Sequence, residues 1–225
     1  MLLGRRKAEQ QFTDQVSSSY RMWHDKLVQQ VRLVMPAECP YTVVHVGDLV
    51  GLFSCIFVKN SERQALRDLA LVNVKTGVGG RYGNKGAILS RFVIDDTSIC
   101  LINCHLAAGQ SHRRQRDRDL ADILEAKGAF SDLAASSPGA YTSGGTGTAV
   151  FDHEIIILGG DLNYRIDSRR DQVISLITEG RLDQLLQQDQ LLKGLATNQS
   201  FRLRTFKEPA ITFAPTYKSV DSFCL

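Results

Sequence analysis

Polar side chains follow an apolar, strand-like run that ends at Leu158, in the segment GGDLNYR (Gly159–Arg165). In an extended chain Asp161 and Asn163 lie on the same face, because side chains alternate along a strand. A carboxylate can accept a proton from water, and a carboxamide can donate a hydrogen bond to a phosphoryl oxygen. The pair therefore suits hydrolysis of a phosphate ester. The alternative is a turn in which Asp and Asn bond to their own backbone.

A second candidate site lies in INCHLAAG (Ile102–Gly109), where alternation places Asn103 and His105 on one face at the end of a strand. A helix start and several arginines follow, and both favour a bound phosphate. The alternatives are a structural core histidine and a solvated basic helix face. These following residues are Gln110, Ser111, His112, Arg113, Arg114, Arg116 and Arg118.

A third segment, Lys75–Gly86 (KTGVGGRYGNKG), combines five glycines with Lys75, Arg81 and Lys85. We expect a mobile cationic loop that approaches phosphates through its backbone N–H groups. It matches neither the GxxxxGK[ST] loop nor a GxGxxG turn that opens a helix. A hairpin with bulges would use glycine in the same way.

The elements that must position these groups are short strands, with a few helices between them. Apolar residues Phe12, Val16, Tyr20, Trp23, Leu27 and Val31 predict one helix over Lys7–Leu33, with His24 exposed beside the stripe. The Asp95-Asp96-Thr97 sequence predicts a hairpin turn between two antiparallel strands. Strands are expected at Thr42–Val46, Leu49–Lys59, Leu69–Lys75, Gly86–Ile94 and Ser98–His105, and a buried strand at Glu154–Leu158. Further helices are expected at Ser111–Ala126, Arg170–Glu179 and Leu182–Lys193.

This order of elements favours an α/β sandwich of two packed sheets with helices outside. We interpret residues 1–225 as a single partial domain, in which the Ser-, Gly- and Thr-rich stretch 134–149 is a flexible surface insertion. The chain has 225 residues, of which 43% are hydrophobic, as expected for a domain with a real core.

Charge and cysteine content exclude some classes of protein. The net charge of +3 is too small to indicate a nucleic-acid binder. Five cysteines without a CxxC pair favour reduced thiols and a cytoplasmic protein. Neither a signal peptide nor a membrane-spanning run is predicted, so we expect a soluble protein that acts, at most, at a membrane surface.

Four motifs, VKTGVGGRYGNKGA, INCHLAAG, GGDLNYR and FAPTYK, resemble the inositol polyphosphate 5-phosphatases in order and spacing. The resemblance runs from about Val46 to Lys218. It implies a four-layer α/β/β/α sandwich, the fold of the endonuclease/exonuclease/phosphatase superfamily, which also includes pancreatic deoxyribonuclease. It also implies Mg²⁺-dependent removal of the 5-phosphate from phosphatidylinositol phosphates or soluble inositol polyphosphates, by direct attack of water.

The same resemblance implies a role for individual residues. Asp161 would orient or deprotonate the attacking water, while Asn163 and His105 would bind the scissile phosphate. Tyr217 and Lys218 match the pair that binds the 4-phosphate in this family. Asn84, Lys85 and Arg165 would be further substrate-binding residues. The family's Mg²⁺-holding glutamate and late Asp-His pair match nothing in this sequence. The metal ligands are therefore unassigned, the domain is expected to be incomplete, and the isolated chain is expected to fold poorly with little activity.

Two alternatives stay open at this point. A nuclease or sphingomyelinase of the same superfamily would share the GDxN segment, but the PTYK and GNKG motifs favour the phosphatases. A catalytically silent protein that binds phosphoinositides would keep the phosphate-binding groups and lack turnover.

Overall fold

A computed structural model describes residues 18–49, 51–77, 82–126, 128–131, 135–198, 202–213 and 215. The chain divides into two compact units. Unit 1 comprises Met1–Ala107 and Asp122–Leu162, and unit 2 comprises Ala108–Ala121 and Asn163–Leu225. The helices are α1 (Ser18–Val34), α2 (Arg113–Leu124), α3 (Arg170–Thr178), α4 (Leu182–Leu186) and α5 (Gln190–Thr197). The strands are β1 (Tyr41–Leu49), β2 (Leu52–Lys59), β3 (Leu66–Gly77), β4 (Tyr82–Ile94), β5 (Thr97–His105) and β6 (Ile155–Asp161).

Unit 1 contains two sheets. Strands β1 and β2 form an antiparallel hairpin. The second sheet has the order β3-β4-β5-β6, in which β3, β4 and β5 are antiparallel and β6 runs parallel to β5. The predicted turn between β4 and β5 is confirmed, since Ile94 pairs with Thr97 and Asp95 adopts a φ of 52°.

The β1–β2 hairpin packs between α1 and the larger sheet. On one face, Val43 and Val46 form a buried cluster with Tyr20 and Val28 of α1. On the other face, Leu49 and Leu52 pack against residues of β3 and β4, namely Leu71 and Ile88. Burial of these apolar side chains is the main force that holds the layers together.

The predicted apolar stripe of α1 is only partly correct. Trp23 is 54% exposed and Leu27 is 39% exposed, whereas His24, predicted to be exposed, is 7% exposed. Helical periodicity places Tyr20, His24 and Val28 on one face, and that face meets the hairpin. Residues 7–17 of the predicted helix lie outside the described residues.

One further prediction for unit 1 needs correction. Strand β6 was expected to be buried, but it is the edge strand of the described sheet, and its Ile155 and Ile157 are exposed. The described part of the 134–149 stretch, predicted to be a flexible surface insertion, makes hydrogen bonds to β3. Tyr141 is buried, and Asp68 accepts hydrogen bonds from the Ser137 backbone N–H at 3.0 Å and the Tyr141 hydroxyl at 3.2 Å.

The described part of unit 2 is helical. The prediction of one helix over Leu182–Lys193 is wrong, because the helix is interrupted between α4 and α5. Asp189 caps the start of α5, where its side chain accepts a hydrogen bond from the Leu192 backbone N–H at 2.8 Å. No helix among the described residues is long and apolar enough to cross a membrane.

Candidate active site

The candidate site of unit 1 lies where the parallel strands β5 and β6 end together. His105 and Asp161 are register partners in the last pair of this ladder. The backbone continues the pairing by one hydrogen bond, from the Leu106 N–H to the Asp161 carbonyl at 3.0 Å. Because parallel strands end at the same edge of a sheet, two residues 56 positions apart in the sequence meet at one point.

At this point one carboxylate and one ammonium group lie beside the imidazole ring of His105. His105 Nε2 lies 3.6 Å from Asp161 Oδ2. The ammonium group of Lys85, on β4, lies 2.8 Å from the same Nε2. The neighbouring Gly86 pairs with His105 across β4 and β5, and this register brings Lys85 to the ring. A cation, an imidazole and a carboxylate therefore converge at one end of the sheet.

Burial and charge both act on the imidazole. Burial is the largest cause that lowers the pKa of His105, and the positive charge of Lys85 lowers it further. The negative charge of Asp161 acts in the opposite direction. With the ring neutral, Nε2 accepts the hydrogen bond from Lys85 and the proton lies on Nδ1.

Replacing Lys85 by Met is expected to raise the pKa of His105. The change removes a nearby positive charge and leaves the attraction of Asp161 in place. The protonated imidazolium should therefore persist to higher pH in the variant than in the parent protein. An NMR titration of the His105 Cε1–H signal measures this shift, with the exposed His112 as the internal control. An unchanged or lower pKa would show that the two side chains are not coupled.

Two glycines precede Asp161, and they differ in their surroundings. Gly160 has a φ of 113°, and a Cβ there would lie 2.2 Å from the carbonyl oxygen of Cys104 on β5. At Gly159 a Cβ would meet nothing within 4 Å among the described residues. Gly160 therefore permits the close approach of β6 to β5 that brings Asp161 level with His105.

Asn163 and Arg165 lie in unit 2, where they contact each other. Asn163 has a positive φ of 56°. The Arg165 guanidinium donates to Asn163 Oδ1 at 2.6 Å and to the Asn163 carbonyl at 3.1 Å. The backbone N–H of Arg165 donates to Gln190 Oε1 at 3.2 Å. Arg165, predicted to bind substrate, therefore fixes the side-chain amide of Asn163, with Oδ1 turned toward the guanidinium.

Other predicted groups have different outcomes. Asn84 is an exposed residue of β4, and the expected mobile loop is largely strand on both sides of residues 78–81, which lie outside the described part. The bulged hairpin was therefore the better interpretation.

Arg116 is fully buried and donates to the Gly109 carbonyl at 2.8 Å, so it is not a surface anion-binding group. Tyr217 and Lys218 lie outside the described residues.

Sequence reasoning missed one residue that organises unit 2. Gln190 is 3% exposed, accepts from Arg116 at 2.5 Å and from the Arg165 backbone, and donates to Asp167 Oδ1 at 2.6 Å. Its position at the start of α5 carried no pattern that distinguished it from the neighbouring glutamines.

A model of the endonuclease/exonuclease/phosphatase family 2 matches residues 5–222 of the chain. The chain belongs to this family. A probable inositol polyphosphate 5-phosphatase of Schizosaccharomyces pombe is 48% identical over 204 residues, which are 90% of this chain and 17% of that protein. Synaptojanin of Caenorhabditis elegans is 34% identical over 207 residues, 92% of this chain and 16% of that protein. The resemblance to the inositol polyphosphate 5-phosphatases is thereby confirmed.

A solved structure of this family has the same fold. The inositol polyphosphate 5-phosphatase domain of SPsynaptojanin, in complex with inositol (1,4)-bisphosphate and a calcium ion, matches with a TM-score of 0.73 and 31% identity. The match covers 92% of this chain and 56% of that domain. The mixed α/β architecture with two sheets is therefore the endonuclease/exonuclease/phosphatase fold predicted from the sequence. The chain spans about a sixth of the length of these two curated relatives.

Members of the endonuclease/exonuclease/phosphatase superfamily are typically dependent on a divalent metal ion. The described residues contain no group of three or more His, Cys, Asp or Glu side chains that could hold one. Asp161 offers a carboxylate beside His105, but Mg²⁺ needs an octahedral set of oxygen ligands. The described donors do not by themselves form such a site.

Proposed function

We propose that the protein removes the 5-phosphate from phosphatidylinositol phosphates or soluble inositol polyphosphates. The observation that carries the proposal is the pairing of His105 with Asp161 at the ends of β5 and β6, with the Lys85 ammonium group on the same imidazole. The relatives support the choice of substrate class. They are named as inositol polyphosphate 5-phosphatases, and the solved domain binds an inositol with phosphates at positions 1 and 4.

In the proposed reaction Asp161 activates the attacking water. Its side chain is 62% exposed, so water reaches the carboxylate directly. An ionised carboxylate accepts a proton or a hydrogen bond from water and orients it toward phosphorus. As the water oxygen bonds to phosphorus, the bond from phosphorus to the inositol oxygen breaks, and that oxygen takes a proton from solvent to leave as a hydroxyl. No covalent enzyme intermediate is involved.

His105 and Lys85 bind the phosphoryl oxygens in this proposal. Without a phosphate, Lys85 donates to the neutral imidazole. An arriving phosphate dianion accepts the Lys85 hydrogen bond instead and favours protonation of the ring, because nearby negative charge raises a histidine pKa. Both groups then donate to oxygens on which charge develops in the transition state.

The remaining predicted site residues complete the proposal. Asn163 donates its amide N–H to the scissile phosphate, and Arg165 holds that amide in orientation through Oδ1. Asn84 contacts the substrate from β4, and Tyr217 and Lys218 grip a 4-phosphate. We propose Mg²⁺ as the divalent cofactor, which would stabilise negative charge on the phosphoryl oxygens. The calcium ion of the matching solved domain supports a divalent cation.

We also propose that the protein works in the cytoplasm and binds transiently to membrane surfaces. The described cysteines, Cys39, Cys55, Cys100 and Cys104, are all free thiols, which fits a reducing compartment. A lipid substrate would require contact with a membrane surface.

The proposed function is tested by phosphate release. The protein is incubated with Mg²⁺ and either inositol 1,4,5-trisphosphate or vesicles that contain phosphatidylinositol 4,5-bisphosphate, and both the phosphate and the position it left are determined. Release from position 5 is the expected result, and its rate measures whether the isolated chain has the low activity expected from its sequence. Release from another position, or none from either substrate while both bind, would contradict the proposal.

One observation favours the alternative of a silent phosphoinositide-binding protein. The described residues lack a group of three metal-binding side chains, although the phosphate-binding lysine and histidine are present. Binding of the vesicles without phosphate release, at any Mg²⁺ concentration, is the result that this alternative expects.

A further inference from the structure

The Nδ1 side of the His105 imidazole faces the β1–β2 turn and makes no hydrogen bond to the described residues. Nδ1 is buried and has no hydrogen-bond partner among the described residues. Histidines at functional sites are usually oriented by a hydrogen bond to the second ring nitrogen. Here the Nδ1 edge faces Gly51, in the turn between β1 and β2, where an added Cβ would lie 3.3 Å from Nδ1 and 3.7 Å from Cε1. The turn therefore lies beside the Nδ1 edge of the ring.

The turn itself is held by Tyr20 of α1. The Tyr20 hydroxyl accepts a hydrogen bond from the Gly51 backbone N–H at 2.7 Å and donates one to the Leu49 carbonyl at 3.1 Å. One hydroxyl thus bridges the two sides of the turn. Because Gly51 has a φ of 81°, its backbone is in a region that glycine adopts readily and most residues do not.

The tyrosine hydroxyl has a fixed position of its own. The Tyr20 ring stacks on Phe53 with centroids 5.7 Å apart and planes 9° from parallel. A second tether joins the same hairpin to β5, since Asn103 Nδ2 donates to the Phe53 carbonyl and to Ser54 Oγ, each at 3.1 Å. Asn103 is two residues before His105, so the hairpin is held against β5 close to the imidazole.

We propose that Tyr20 is a positioning residue for His105. Its hydroxyl fixes the β1–β2 turn, and Gly51 of that turn blocks rotation of the imidazole away from Lys85 and Asp161. This inference rests on the proposed function for its effect on catalysis, but the effect on the ring itself does not depend on it. No contact of Tyr20 with substrate is implied.

The test compares Tyr20→Phe with the parent protein. Without the hydroxyl, the turn loses both hydrogen bonds and the ring gains freedom. We expect the His105 ring ¹⁵N and Cε1–H signals to shift or broaden. We expect kcat for 5-phosphate release to fall by about 10-fold with little change in KM, because small misplacements of a catalytic group cost rate. Tyr141→Phe is the matched control: it also removes a hydroxyl hydrogen bond, to Asp68, and should leave both readouts unchanged.

A double-mutant cycle shows whether the effect passes through His105. In a His105→Gln background, Tyr20→Phe should cause no further loss of rate, since the ring it positions is absent. An equal loss in both backgrounds would overturn the inference, as would unchanged NMR signals of His105 in Tyr20→Phe. Gly51→Asn serves as a second variant, because Asn tolerates a positive φ and its Cβ would press on the ring. It too should shift the His105 signals, and unchanged signals would count against the proposal.

The outcomes separate this inference from the proposed function. Shifted His105 signals in a protein that releases no phosphate from any inositol substrate would support the positioning role and refute the phosphatase. Release of the 5-phosphate by the parent protein, together with undisturbed His105 signals in Tyr20→Phe, would support the phosphatase and refute the positioning role.

Discussion

Replacing Asp161 by Asn is expected to lower kcat for 5-phosphate release by about 1,000-fold, the middle of the range for loss of a general base. The amide has nearly the same shape, so the pairing of β5 with β6 should persist, but it cannot accept a proton from water. The same change should lower the pKa of His105, because the Asp161 carboxylate raises it in the parent protein. Steady-state kinetics and the His105 NMR titration measure the two effects independently.

A matched control for this variant is Asp96→Asn, in the turn at the opposite end of β5. Asp96 is also an exposed carboxylate with a basic neighbour, Arg67, at 3.4 Å. It should change kcat by less than about 2-fold, as expected for a surface position. If Asp161→Asn retained parental kcat, Asp161 would not be the group that activates water, whatever the fate of the His105 pKa.

The strand order near the site was largely predictable because the local signals were strong. The two-residue Asp95–Asp96 turn fixes β4 and β5 as antiparallel neighbours, and alternation along β5 places Asn103 and His105 on one face. Burial of β6 was not predictable from its composition. An isoleucine-rich run identifies a strand, but whether its faces are covered depends on neighbours that sequence periodicity does not specify.

The helix α1 illustrates a limit of periodicity. Trp23 and Leu27 lie next to the buried face of the helix, so an apolar stripe drawn through both faces looks continuous in sequence. Tertiary packing chose the face with Tyr20, His24 and Val28, since this is the face that meets the β1–β2 hairpin. His24 is buried because it lies on this face of the helix, although its side chain is polar.

The candidate site was predictable where it depends on strand ends and not where it depends on cross-strand register. His105 and Asp161 each end an apolar strand, so their meeting could be expected. The contact between Lys85 and His105 arises from the β4–β5 register, which continues over nine residue pairs from the turn. Arg116 was not predictable in this way: it follows the histidine motif among several arginines, yet it is buried and donates to the Gly109 carbonyl.

Gly160→Ala is expected to be severely destabilising, whereas Gly159→Ala is expected to be tolerated. The methyl group at position 160 would lie 2.2 Å from the Cys104 carbonyl oxygen and 2.7 Å from its backbone nitrogen, and φ there is 113°. Both atoms belong to the backbone of β5, so they cannot move aside without breaking the β5–β6 ladder. A loss of about 3 kcal/mol or more in the free energy of unfolding is expected from strain at such a position.

The neighbouring glycine makes the comparison sharp, because the two variants add the same methyl group one residue apart. At position 159 a Cβ would meet nothing within 4 Å among the described residues, so the change in unfolding free energy should stay within about 0.5 kcal/mol. Urea unfolding of both variants measures the difference. Equal stability of the two would mean that β6 does not approach β5 this closely at Cys104. In that case the 3.6 Å contact between His105 and Asp161 could not be assumed either, since the same approach creates it.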